Sequence, residues 1–222
     1  AIMWKALPRF TVHSTLSYPS LMLSMVQLWQ RYSTLRRAAL AQGFLSIAFS
    51  AFWSTLAVML SEHYHMGSAI AGAFGIAGAA GALAAPMAGH LADKVGAAKV
   101  TQLGALLVTV SFALMFLLPA LPVQGQWLLI ALSAVGFDLG LQSSLVAHQN
   151  LVYSLEPLAR GRLNALLFTM VFIGMALGSV LGSQVYALAN WEGVVVLATF
   201  SSAIALVIRL TGNPSLSKAS VA

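Results

Sequence analysis

Asp138, Gln142 and Gln149 recur at helical spacing inside the apolar stretch AVGFDLGLQSSLVAHQN, residues 134–150. With 3.6 residues per turn they share one narrow stripe with Leu145. A second stripe, Gln42, Ser46, Phe49 and Trp53, runs along an earlier apolar stretch, with Ser50 and Ser54 beside it. One carboxyl, several amides, hydroxyls and an indole can hydrogen-bond a polar solute and exchange a proton. They do not form a nucleophile–base pair, and the few acids and histidines are scattered along the chain. Enzymatic catalysis is therefore not expected.

The elements that carry these stripes follow from composition. Of 222 residues, 59% are hydrophobic and 7% charged, whereas a soluble domain carries about a quarter charged residues. Too few charges remain to cover a water-facing surface, so the main solvent is lipid. Six apolar segments approach the roughly 20 residues a spanning helix needs: 38–60, 67–88, 100–121, 127–152, 163–188 and 193–211. Short breaks separate them, so neighbouring helices should run antiparallel. Residues 1–36 read as a linker, 37–212 as an all-α polytopic bundle of six transmembrane helices, and 213–222 as a tail. The absence of cysteine excludes disulfides and thiolate metal sites.

The basic residues orient the bundle. Arg36 and Arg37 precede the first segment, Lys94 and Lys99 occupy the second break, Arg160 and Arg162 the fourth, and Arg209 and Lys218 the end. The other breaks carry no Lys or Arg. By the positive-inside rule both termini are cytoplasmic in a multi-pass protein. The net charge of +6 thus belongs to membrane orientation, not to nucleic acid.

A polar stripe faces other helices or water rather than acyl chains. Asp138 lies about 12 residues, or roughly 18 Å, inside its segment. An ionised carboxylate there costs about 2.5–3.5 kcal/mol. Two roles fit: a carboxyl that takes up and releases a proton, or a neutral acid bonded to Gln or Ser on a neighbouring helix. His148 reads as an interface residue. His63 and His65 are too few to hold a metal and read as a solvated loop, so no metal and no cofactor is expected.

Around residues 1–36, Pro19 can occupy the first turn of a helix after Ser17. Leu21, Met25, Leu28, Trp29 and Tyr32 then share a face, which suits an interfacial amphipathic helix or a linker helix packed on the bundle. The sequence starts without Met, partway through an apolar phrase. Gly72, Gly75, Gly78 and Gly81 recur every third position, and Gly174, Gly178 and Gly182 every fourth. Such small-residue faces allow close helix packing, static or sliding.

GHLADKVGAAK, with Gly89, Asp93, Lys94, Gly96 and Lys99, reads as a capped hairpin. Asp93 can cap the third segment, and Gly96 permits the turn. This stretch also resembles the G-x-x-x-D-[RK]-x-G-[RK]-[RK] loop of the major facilitator superfamily, departing from it at Ala97 and Ala98. SLEPLARGRLNAL, with Arg160, looks like the loop between the family's tenth and eleventh helices. LRRAALAQGFLSIAFSAFWSTLAVML resembles the seventh helix of bacterial efflux permeases.

The resemblance implies the C-terminal six-helix half of a transporter, built as an inverted repeat of three helices plus three. Its first and fourth segments would then line a central cavity, and these are the segments that carry the stripes. The implied function is alternating-access antiport of a drug, sugar or other small solute out of the bacterial cytoplasm across the inner membrane. The partners would be the bilayer, the solute, and an N-terminal half or second copy. Gly89, Asp93, Lys94, Gly96, Lys99 and Arg160 would form the cytoplasmic gating loops. A truncated bundle acting as a scaffold is the alternative. The phosphate-binding G-x-x-x-x-G-K-[ST] pattern is absent, so this sequence encodes no ATP-driven pump.

Overall fold

Ser17, in an extended conformation, starts helix α1 (Tyr18–Arg31), and proline fills its first turn. In this computed structural model, residues 17–79 and 84–211 are described. Leu28 anchors α1 in a buried cluster with Leu35, Ala38, Val152, Ala159 and Leu163. Tyr32 breaks the helix with extended backbone, and α2 (Ser33–Tyr64) begins at once. His65 ends α2 in the left-handed region at φ 54°, and the Met66 N–H returns to the Leu60 carbonyl at 3.1 Å.

The next apolar segment forms α3 (Ser68–Ala79) and α4 (Ala84–Val95), with Gly81 outside the described residues. Gly96 follows at φ 90°, a conformation that costs a residue without Cβ little. It starts α5 (Ala97–Leu114), which tightens into a 3₁₀ turn, Met115–Ala120, around Pro119. Pro122, itself extended, admits α6 (Val123–Tyr153). A short 3₁₀ turn, Pro157–Ala159, leads into α7 (Arg160–Leu210).

α7 is broken at Ala189 and Asn190, whose backbone is not helical. Contacts with α2 show what the break does. Gly174 approaches Gly43, Gly178 approaches Ile47, and Gly182 approaches Ala51, so this leg runs parallel to α2. Beyond the break, Ser201 donates to the Phe44 carbonyl (2.7 Å) and Arg37 to the Ile208 carbonyl, so the return leg runs antiparallel. The chain therefore reverses at Asn190.

α5 and α6 cross antiparallel at another close approach, where Gly104 lies against Gly140 and Ser144, and Gly136 against Ser111. α2 and α6 are antiparallel too: Gln42 meets His148, Phe52 meets Phe137, and Tyr64 meets Gln126. Among the described residues, four helices are long and apolar enough to cross a bilayer: α2, α5 with its 3₁₀ extension, α6, and α7 with the turn before it. Leu103, Leu128, Phe172 and Phe200 are among the large apolar side chains left on the outside, where lipid is the fitting solvent.

Two expectations are corrected. Asp93 does not cap α5: the capping residue is Gly96, with no side-chain cap bond. Asp93 instead lies in the last turn of α4, because Gly96 places the chain reversal three residues after it. Gly72 and Gly75 do not pack closely either, since a Cβ at either would meet nothing within 4 Å. The surroundings of Gly78 lie outside the described residues.

Candidate transport pathway

Asp138 stands at the middle of the 31-residue α6 and is 4% exposed. Its sequence neighbour Phe137 is fully buried. Phe137 stacks on Phe112, with centroids 4.6 Å apart and planes at 14°, and meets Phe52 edge-on at 4.8 Å. Phe49 and Trp53 of α2 complete the cluster, their centroids 6.3 and 6.2 Å from Phe137. Such edge-to-face and stacked pairs add about 0.5–1.5 kcal/mol each beyond burial, which holds the rings of α2, α5 and α6 against one another. Trp53 Nε1 is buried without a hydrogen-bond partner among the described residues. Phe49 and Trp53 are half-buried, as is Gln142 one turn along α6 from Asp138.

The other polar stripe residues are used between helices. Gln42 is buried, and its Oε1 accepts from His148 Nδ1 at 2.9 Å. Ser46 donates to the Gln42 carbonyl within its own helix (2.8 Å). Gln149 donates to Tyr153 (3.3 Å) and Asn164 (3.2 Å), and Tyr153 donates to Asn164 (2.7 Å). The two stripes of the sequence thus separate into residues near the middle of their helices, Asp138 and Gln142 on α6 and Phe49 and Trp53 on α2, and helix-joining bonds toward one end. Helical phase put these residues on one side. It could not say which part of that side a neighbouring helix covers.

That end carries most of the positive charge. Arg36 donates to the Trp29 carbonyl at 2.7 Å, tying α1 to α2. Arg209, buried at the end of α7, donates through Nε to Thr101 (2.9 Å). Gln102 donates to the Arg209 carbonyl at 3.2 Å. Tyr32 donates to Glu156 at 2.9 Å. Burial, and then this bond, push the Tyr32 phenol above its ordinary value of 10.0.

Lys94, Lys99 and Asp93 are exposed and Gly89 is half-buried. Exposed Arg160 donates to the Tyr153 carbonyl at 3.4 Å. Sequence reading treated Arg209 only as an orienting charge and His148 only as a generic interface residue. A lone Arg inside an apolar phrase was the available signal for the first. For the second there was none, because the Gln42–His148 pairing depends on register between distant helices.

Comparison with known proteins places this architecture. Residues 38–221 match the Major Facilitator Superfamily. The chain belongs to that superfamily. It is 35% identical over 173 residues to the "Probable transporter SCO4007" of Streptomyces coelicolor, covering 76% of this chain and 38% of the relative. It is 31% identical over 196 residues to the "Uncharacterized transporter YgaY" of Escherichia coli O157:H7, covering 86% and 48%. The chain thus spans less than half the length of either relative. As a Major Facilitator Superfamily member it is a multi-pass membrane protein, helical throughout its long described elements, and both of these relatives are named transporters.

Proposed function

We propose that this chain is the C-terminal six-helix half of a secondary transporter that exports a small solute in exchange for protons by alternating access. Asp138 is its protonation site. One observation carries the reading: a carboxyl at the middle of a spanning helix, 4% exposed, whose prospective partners Gln42, Ser46 and Gln149 are bonded elsewhere. Intramembrane acids of this kind mark ion and substrate pathways.

Broken α7 supplies the fifth and sixth spans, and α3 with α4 the second. The Arg- and Lys-bearing end faces the cytoplasm of a bacterium, with both termini on that side. The loop residues Gly89, Asp93, Lys94, Gly96, Lys99 and Arg160 then sit at the inner gate. The remaining length of the relatives supplies the other half of the cavity. This assignment is supported by the 38% and 48% of those relatives that the chain covers.

The test is substrate-driven proton flux in proteoliposomes holding the complete protein, with a panel of candidate solutes. Asp138→Asn should abolish proton-coupled flux while the protein still folds. Unchanged flux with unchanged pH dependence would remove Asp138 from the mechanism.

A further inference from the structure

Arg209 is 8% exposed, and among the described residues its side chain makes one hydrogen bond, from Nε to Thr101 at 2.9 Å. A guanidinium is always charged and carries five N–H donors. Held away from water, it needs a counter-charge. The sequence contains five acidic residues, Glu62, Asp93, Asp138, Glu156 and Glu192, and all five are described. Glu62 accepts from Tyr186 (2.8 Å) at the far end of α2, and Glu192 follows the reversal of α7. Glu156 accepts from Tyr32, Asp138 stands at the middle of α6, and Asp93 is exposed in the last turn of α4. Among the described residues none of them forms an ion pair with Arg209. No acidic side chain of this sequence therefore neutralises it.

The surface next to Arg209 has a definite pattern. Gln102 donates to the Arg209 carbonyl at 3.2 Å, so the start of α5 borders the end of α7. Helical spacing puts Gln102 on one face of α5 with Lys99, Leu103, Leu106 and Val110. Gln102 is half-buried, and the other four are exposed. Lys99 and Val110 are about 16 Å apart along the helix axis. That is close to the depth of one leaflet in a hydrocarbon core about 30 Å thick. Cationic groups at the helix end, followed by one leaflet's depth of open apolar surface, match an anionic head group with acyl chains beneath it.

We propose that Lys99, Gln102 and Arg209 hold the phosphate of an anionic phospholipid from the leaflet at the basic end, with its chains along Leu103, Leu106 and Val110. The carbonyl end of α7 offsets part of the Arg209 charge, and the lipid phosphate supplies the rest through charge-assisted hydrogen bonds. Lys99 adds a point charge at the rim. Basic pockets between spanning helices take such head groups. A soluble phosphate would meet the charge and leave the apolar face unused. A zwitterionic lipid would bring its own ammonium against two cations. The site lies at a helix end and is independent of proton exchange at Asp138.

Native mass spectrometry of the complete protein in detergent reads the site directly, with phosphatidylglycerol, phosphatidylcholine or inorganic phosphate added in turn. Phosphatidylglycerol should bind saturably and roughly tenfold or more tighter than phosphatidylcholine. Lys99→Gln, at an exposed position, should weaken it by roughly fivefold, and Arg209→Gln by roughly tenfold or more. Leu106→Asn should also weaken the lipid, because it breaks the apolar face. Should Arg209→Gln fail to fold, Lys99→Gln and Leu106→Asn still decide. Equal binding of the two lipids would overturn the proposal, as would phosphatidylglycerol binding indifferent to both of those variants. Inorganic phosphate that displaces the lipid, with Leu106→Asn without effect, would assign the charges to a soluble anion and overturn the lipid site. Absence of phosphatidylglycerol binding would overturn it as well, the result expected if the rest of the complete protein places a carboxylate on Arg209.

Discussion

Gln42 and His148 form the buried bond that ties α2 to α6 near the basic end. Gln42→Leu would leave both ring nitrogens of His148 without partners, since Nε2 already has none. Stranding a buried polar group costs about 1–3 kcal/mol. The double variant Gln42→Leu with His148→Phe should recover much of that loss, and a thermal-unfolding cycle in detergent would measure the coupling. At the protein's edge Tyr32→Phe should cost about 0.5–1.5 kcal/mol. The raised Tyr32 value fixes the sign of its pH dependence: this contribution is fully present below pH 10.0 and is lost as the pH rises further. Stripe phase put Asp138 and Trp53 on the polar faces of two different helices. Nothing in the sequence separated them from Gln42 and Ser46, because burial by another helix leaves no mark on a single stripe.

Helix contacts depend on which glycines meet a neighbour's backbone. A Cβ at Gly174 would collide with the Gly43 backbone, and one at Gly178 with that of Ile47. Gly174→Ala and Gly178→Ala should each cost about 1–3 kcal/mol by forcing α2 and α7 apart. Gly72→Ala, in open space, should be neutral or stabilising by up to about 1 kcal/mol through helix propensity. Melting temperatures of the three variants would decide this. The two glycine series look alike in sequence, and only the partner helix distinguishes them. Asn190, at φ 53°, carries the reversal of α7. Asn190→Gly should hold or raise stability, and Asn190→Val should lower it by about 1–3 kcal/mol. Apolar run lengths located the long helices readily. The hairpin cap was misread because Asp93 and Gly96 are both plausible caps until the turn geometry chooses between them.

As a whole, the molecule sets an apolar exterior around a midplane acid, with the basic residues gathered toward one end. Composition alone made the membrane legible, and the alternation of basic breaks is the basis of the proposed orientation. The shape of the proposed pathway was not legible, since it depends on helix register. The most direct measurement places one cysteine at position 142, half-buried beside Asp138, in a cysteine-free version of the complete protein. A membrane-impermeant maleimide is then applied to sealed vesicles, with and without a proton gradient. Midplane access predicts labelling from water that changes with the gradient and is blocked by transported solute. Labelling only by lipid-partitioning reagents, whatever the gradient, would contradict a pathway along α2 and α6.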